Sequence, residues 1–206
     1  MSSHLLVYDH PTLAAYRRHA GEAIESWRRA ARPSQFLRRF VQSLPARARV
    51  LDYGCGIGTD LAWLRRRGFR VEGLDGTPAF LRQARRRCPG VLVREARFET
   101  VHRLPGSYDG IWCQAALIHV TPDVLRRQLA VLREALSPSG LLGLSLAWGR
   151  RKGLARRDWI PGRYVAGYTK PEAMSFFRQG WVVHECRVVS HDGRQGRWIQ
   201  LLARPQ

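Results

Sequence analysis

The stretch Val50-Leu51-Asp52-Tyr53-Gly54-Cys55-Gly56-Ile57-Gly58 constrains this chain more than any other, because an apolar strand runs there into a turn of alternating glycines, with an acid two residues before the first of them. Glycines at 54 and 56 permit positive φ and close approach of the backbone to a ligand, and Thr59-Asp60-Leu61-Ala62-Trp63-Leu64 reads as the helix that follows. Strand, glycine turn and helix in that order suit a nucleotide-type cofactor, adenosine above all. The dinucleotide pattern G-x-G-x-x-G would need its third glycine at position 59, which is Thr, and the third glycine is Gly58. Asp52 argues the same way: a carboxylate so near the loop repels a pyrophosphate and welcomes an ammonium group. A nicotinamide dinucleotide is therefore disfavoured, and a ligand carrying a positive charge is expected.

These residues resemble motif I of the class I S-adenosylmethionine-dependent methyltransferases, whose usual form is V-L-D-x-G-C-G-x-G at the end of the first strand. Val71-Glu72-Gly73-Leu74-Asp75-Gly76-Thr77-Pro78 is similar to the second strand of that family, with Asp75 falling 21 positions after Gly54. The family's acid there holds the ribose hydroxyls, and one carboxylate can accept from both. Tyr108-Asp109-Gly110-Ile111-Trp112-Cys113-Gln114-Ala115 resembles the fourth strand and Gly140-Leu141-Leu142-Gly143-Leu144-Ser145-Leu146 the fifth. The resemblance covers residues 49–148 and weakens beyond. It implies an α/β, Rossmann-like fold: a seven-stranded, mostly parallel sheet of order 3-2-1-4-5-7-6 with helices on both faces. It also implies S-adenosyl-L-methionine as cofactor, held by Asp52, Gly54, Cys55, Gly56, Asp75, Gly76, Thr77 and Gln114. One departure stands out. Many relatives carry an acid after the third strand to bind the adenine amino group, and this chain has Ala96-Arg97-Phe98 instead. An arginine cannot accept that hydrogen bond, so backbone groups of Arg97 and Phe98 are expected to hold the adenine against the Phe98 ring.

At 206 residues and 45% hydrophobic content the chain suffices for one sizeable α/β domain, and a single domain over 1–206 is expected. No apolar run approaches the roughly 18 residues of a membrane span, and the first 20 residues carry Asp9, His10, Arg17 and Arg18 rather than an apolar signal core. These features suggest a cytoplasmic protein with no membrane partner. The cysteines at 55, 88, 113 and 186 form no C-x-x-C pair, which suggests neither zinc nor a disulfide framework, and no metal is expected. The net charge is +19, and only Lys152 and Lys170 are lysines, leaving 33 arginines. The triplets at 65–67 and 85–87 read as helix ends, where cations meet the helix dipole. A further basic cluster, Arg150, Arg151, Lys152, Arg156, Arg157 and Arg163, faces Asp158 alone. It follows the fifth strand on the edge where open α/β sheets bind ligands, and 149–168 is therefore expected as a basic loop on the substrate side.

Residues 1–45 are expected as a helical lid, with helices over 9–31 and 34–43; Tyr8 and Tyr16 are similar to tyrosines that recur in the leading segment of family members. Further helices are expected over 78–87, 121–136 and 169–179, and two closing strands over 181–190 and 197–204. His119, just after the fourth strand, is the titratable group best placed to deprotonate an oxygen or nitrogen nucleophile. Tyr168 stands where relatives place aromatic residues near the substrate. His119 and Tyr168 are thus the candidate catalytic residues, and Tyr8, Tyr16, Arg150 and Arg163 the candidate substrate-binding ones. Gln114-Ala115-Ala116-Leu117 lacks the N-P-P-Y pattern of adenine or glutamine-amide methylation. The expected activity is methyl transfer to an oxygen or nitrogen of a small molecule, and the basic loop suggests an acidic one. The alternatives are an RNA methyltransferase, whose arginines would track phosphates, and a non-catalytic cofactor-binding protein.

Overall fold

The computed structural model describes residues 10–29, 33–190 and 196–206. Tyr8 lies outside the described residues. Three helices lead: α1 (Pro11–Arg18), α2 (Ala20–Arg29) and α3 (Gln35–Gln42). Then β1 (Arg49–Tyr53), α4 (Thr59–Arg66), β2 (Arg70–Asp75), α5 (Pro78–Arg87) and β3 (Leu92–Glu95) alternate. They are followed by β4 (Tyr108–Gln114), α6 (Pro122–Ala135) and β5 (Leu136–Trp148). The chain closes with β6 (Lys152–Ala155), β7 (Arg163–Tyr168), α7 (Lys170–Ser175), β8 (Trp181–Ser190) and β9 (Arg197–Pro205).

The strands β3-β2-β1-β4-β5 pair in parallel, β9 adds antiparallel to β5, and β8 pairs antiparallel with β9. Those seven strands have the expected order. The side chains of β1 alternate across the sheet: Leu51 and Tyr53 enter a core with Leu125, Leu129 and Leu132 of α6, while Val50 packs with Phe36, Phe40 and Leu64 of α3 and α4. Both faces of the parallel strands are thereby covered, as such sheets require. Local caps agree with tertiary packing. The Ser34 hydroxyl accepts from Leu37 N at 3.0 Å to start α3, and Thr169 with Glu172 forms a capping box at α7.

Three features differ from the sequence reading. Segment 149–168, expected as a loop, contains the antiparallel hairpin β6–β7, which brings the strand count to nine. Its second strand pairs with the end of β5 through Ala147↔Gly167 and Trp148↔Tyr168, so the hairpin extends the sheet above the cavity edge. Arginine content masked the extended pattern of Tyr164-Val165-Ala166. The fifth strand, which the resemblance placed at 140–146, starts earlier, so that Ser137-Pro138-Ser139-Gly140 lies inside β5; the irregularity there is one of register, Tyr108 pairing with Leu136 and Gly110 with Leu141. Helix α7 stops at Ser175 because Phe176 and Phe177 bond back three residues, to Ala173 and Met174, and tighten the last turn. Among the described residues no helix is long and apolar enough to cross a membrane, and no group of His, Cys, Asp and Glu could hold a metal ion.

Candidate functional site

A cavity of about 630 Å³ opens at the carboxyl ends of β1, β2 and β4, roofed by α1, α2 and the β6–β7 hairpin. Its floor is the glycine turn. Gly54 N and Cys55 N both donate to the Leu74 carbonyl, at 2.8 and 2.9 Å, which binds the turn to β2. Gly54 adopts φ +87°, and a Cβ there would lie 2.3 Å from the Ala116 Cβ, so the turn closes only with glycine. Gly58, at φ +76°, then starts α4.

Asp75 ends β2 with both carboxylate oxygens engaged by backbone: Oδ2 accepts from Gly56 N at 3.0 Å and Oδ1 from Thr77 N at 2.8 Å. Burial pushes its pKa up, and the N–H groups of Thr77 and Gly56 pull it back. Each oxygen keeps further acceptor capacity toward the cavity. Asp52, 3% exposed at the end of β1, lines the same wall. On the other side Ala96 N donates to the Asp75 carbonyl at 3.1 Å, and Ala96, Arg97 and Phe98 form a wall. The Phe98 ring packs on Tyr53 with centroids 4.9 Å apart. Gln128 of α6 fixes that wall from behind: its Nε2 donates to the Phe98 and Val101 carbonyls at 2.5 and 2.9 Å, and its Oε1 accepts from the Tyr53 hydroxyl at 2.5 Å. An apolar ring face beside a carboxylate with spare acceptor capacity, and a second buried carboxylate beyond the glycines, fits an adenosine followed by a cationic group.

The roof is aromatic. Tyr16, Trp27, Phe80 and Trp159 touch in series, with centroid separations of 5.1 Å for Tyr16–Phe80, 4.8 Å for Trp27–Phe80 and 6.0 Å for Trp27–Trp159. Leu13 stands over Gly76 and Trp27 over Gly56. A buried polar chain joins this roof to the sheet edge. Arg163 of β7 pairs with Asp158, and its Nη1 donates to the Tyr16 hydroxyl oxygen at 2.9 Å. Tyr16 Oη lies 3.1 Å from His119 Nε2, and His119 Nδ1 lies 2.8 Å from the Tyr164 carbonyl. A carbonyl can only accept, so Nδ1 carries the ring proton; Nε2 is then the acceptor and Tyr16 the donor. Burial, with a smaller contribution from the Arg163 charge, lowers the His119 pKa to about 4, and the ring is neutral at pH 7.

The structure thus brings Asp52, Gly54, Cys55, Gly56, Asp75, Gly76, Thr77, Arg97, Phe98, Gln114, Tyr16, His119 and Arg163 to one cavity. Two expected residues are not there. Tyr168 is 1% exposed, packed edge-on against Phe176 at 5.5 Å with Lys152 over its ring, and it reaches no cavity wall. Arg150 is exposed and likewise lines none of it. The sequence reading missed Trp27, Phe80, Trp159 and Asp158. Four of the seven tryptophans, Trp27, Trp159, Trp181 and Trp198, lie outside the core strands and helices that the motifs mark, and that excess was the available signal. It also missed Ala115, whose φ of +53° right after β4 is held by a bond from its N–H to the buried Ser145 hydroxyl at 2.9 Å.

Residues 50–140 match a family model described as a methyltransferase domain. The chain is 38% identical over 108 residues to the ubiquinone biosynthesis O-methyltransferase of Xanthomonas axonopodis pv. citri, covering 49% of this chain and 44% of that protein. It is 30% identical over 110 residues to the S-adenosyl-L-methionine-dependent Diels-Alderase iccD of Talaromyces variabilis, covering 50% and 37%. The chain therefore spans less than half the length of these relatives. Among solved structures, the Burkholderia thailandensis 1,6-didemethyltoxoflavin-N1-methyltransferase with bound 1,6-didemethyltoxoflavin and S-adenosylhomocysteine aligns with TM-score 0.74 at 23% identity, over 94% of this chain and 87% of that one.

Proposed function

We propose that this chain is a class I S-adenosylmethionine-dependent methyltransferase, a reading its fold and the domain match over residues 50–140 support, and that it methylates an oxygen or nitrogen on a small, uncharged ring compound. The observation that carries the acceptor class is the composition of the cavity wall: among the described residues, carboxylates of Asp52, Asp60, Asp75, Glu99 and Asp158 share it with two arginines, Arg97 and Arg163. Arg163 is already held by Asp158. An acidic acceptor, which the basic sequence around 150 suggested, would enter an excess of negative charge, whereas flat aromatic walls favour a planar ring. S-adenosylmethionine, when bound, supplies the electrophilic methyl group.

The residues divide the work. Asp75 and the Phe98 wall would hold adenosine, and Asp52 beyond the glycine turn would hold the ammonium end. Tyr16 offers its hydroxyl oxygen to an O–H or N–H of the acceptor. As the methyl arrives, that proton becomes strongly acidic, so a weak base is enough. The acceptor proton passes to Tyr16 Oη while the Tyr16 proton passes to His119 Nε2, and the resulting imidazolium keeps its Nδ1–H on the Tyr164 carbonyl. The roof of Trp27, Phe80 and Trp159 excludes water from the transfer.

The test is methyl-labelled cofactor with a panel of phenols, hydroxyquinones and nitrogen heteroaromatics, set beside aliphatic di- and tricarboxylates. Labelled product and S-adenosylhomocysteine should appear together with the ring compounds only; turnover confined to the carboxylates would overturn the acceptor class. The Diels-Alderase relative supports a second reading, in which the cofactor is bound and not consumed. Conversion of a substrate with no S-adenosylhomocysteine formed would establish it.

A further inference from the structure

Arginines cluster at the ends of α4 and α5, in triplets at 65–67 and 85–87. Helix α5 contains no acidic residue, and α4 contains only Asp60, in its first turn. The two helices start beside the cavity and carry their arginines toward the opposite end, about 12 to 15 Å along the axis for helices of this length, although the Arg87 side chain turns back to the Thr59 hydroxyl at the start of α4. Those ends are adjacent, since Arg65 Nη1 donates to the Pro89 carbonyl just beyond α5 at 2.7 Å. The triplets 65–67 and 85–87 therefore lie side by side, and of these six only Arg87 is partly covered.

The acids of the chain are engaged elsewhere: Glu185 with Arg39, Glu72 with Arg49 and Arg94, Asp123 with Arg126, and Asp158 with Arg163. Among the described residues, no arginine at 65–67, 82 or 85–87 lies within ion-pair distance of a carboxylate. Their contacts are to neutral acceptors, as in the 2.7 Å bond from Arg87 to the Thr59 hydroxyl. At Arg87 burial lowers the pKa, and the nearby charges of Arg28 and Arg66 lower it further. Helix-dipole compensation would explain one or two cations in each last turn, not this number with every acid placed elsewhere.

We propose that the far ends of α4 and α5 form a docking surface for the phosphodiester backbone of RNA, separate from the catalytic cavity. Guanidinium groups suit phosphate better than lysines do, because the planar fork binds it bidentately and stacks on bases. A lipid surface is the poorer occupant: among the described residues the exposed large apolar side chains are Leu92, Trp148, Leu154, Trp159 and Val182, and none belongs to α4 or α5. The surface serves association with RNA whatever the acceptor in the cavity.

The experiment is fluorescence anisotropy of the full chain with a labelled uridine oligonucleotide of about 20 nucleotides over a series of salt concentrations. The variant Arg66→Glu/Arg67→Glu/Arg86→Glu is compared with Arg126→Glu/Arg127→Glu/Arg178→Glu, an equal charge change on α6 and beyond α7. Calorimetric binding of S-adenosylhomocysteine to each variant reports that the fold and the cavity are intact. The first variant should bind at least tenfold more weakly, with the slope of log affinity against log salt reduced by about 2, while the second stays within a factor of two. Equal losses from both variants, or no binding by the intact protein at low salt, would overturn the proposal. So would a loss in the first variant of binding to equimolar phosphatidylcholine–phosphatidylserine vesicles with RNA binding unchanged.

Discussion

Gly54 has no room for a side chain: its φ of +87° disfavours any L-residue, and a Cβ would sit 2.3 Å from the Ala116 Cβ. Gly54→Ala should therefore cost about 1–3 kcal/mol of stability, from strain and overpacking together. It should also abolish S-adenosylhomocysteine binding in calorimetry, because relief requires the glycine turn to move off β2. His119 gives a second prediction at this scale, in pH. Its folded pKa of about 4 lies below the ordinary value of 6.5, so between those values the unfolded chain binds more protons than the native one. Stability contributed by the neutral ring is complete above pH 6.5 and is lost as pH falls toward 4, to a total of about 3 kcal/mol. Urea unfolding at pH 7 and pH 4.5 should show that loss in the native protein, and His119→Gln should remove most of the difference between the two.

The elements most dependent on long-range contacts are α1 and the β6–β7 hairpin, which close the cavity together. Thr12 Oγ1 accepts from Tyr164 N at 3.0 Å, and Tyr16 stands between Arg163 and His119. Tyr16→Phe leaves a buried guanidinium N–H and an imidazole nitrogen each short of a partner, a loss of about 1–3 kcal/mol. Hydrogen exchange should locate it: amides of α1 and β7 should exchange at least tenfold faster, while those of β1 and β4 stay protected. The same contrast explains what could be read in the sequence. Strands β1, β2 and β4, with Asp52, the glycines and Asp75, were legible because local chemistry dictates them: apolar runs, a turn that needs positive φ, an acid at the end of a strand. The hairpin was not, since its pairing partners lie up to 14 residues apart and its arginines made it resemble a solvated loop. Nor was the displacement of Tyr168 from the site, because a buried aromatic next to a helix cap has the same local sequence whether it faces a cavity or, as here, Phe176. The polar chain through Tyr16 joins residues up to 147 apart, a distance over which periodicity carries no information.

At the scale of the whole molecule, charge is segregated: the cavity wall is acidic while the chain as a whole carries +19. The acidic wall suits a cofactor whose net charge is positive, and the outer arginines face one another across exposed helix ends. Native packing holds the triplets at 65–67 and 85–87 closer together than an unfolded chain would, so their repulsion opposes folding. At 10 mM salt the Debye length is about 30 Å and the whole arginine surface interacts; at 150 mM it is about 8 Å, and only neighbours do. Raising sodium chloride over that range should stabilise the protein by about 1–2 kcal/mol, which for a chain of this size is a rise in Tm of roughly 2–8 °C. Surface ion pairs work in the opposite direction, but among the described residues only Arg29–Glu25 and Arg126–Asp123 are exposed on both sides, and each such pair contributes at most about 1 kcal/mol. S-adenosylhomocysteine affinity should change less than stability does, because the cavity carboxylates are screened weakly once covered by α1, α2 and the hairpin. Calorimetric Tm and ligand titration at the two salt concentrations separate these effects: a Tm that falls with salt would mean that attractive pairs outweigh arginine repulsion, in conflict with the unpaired ends of α4 and α5.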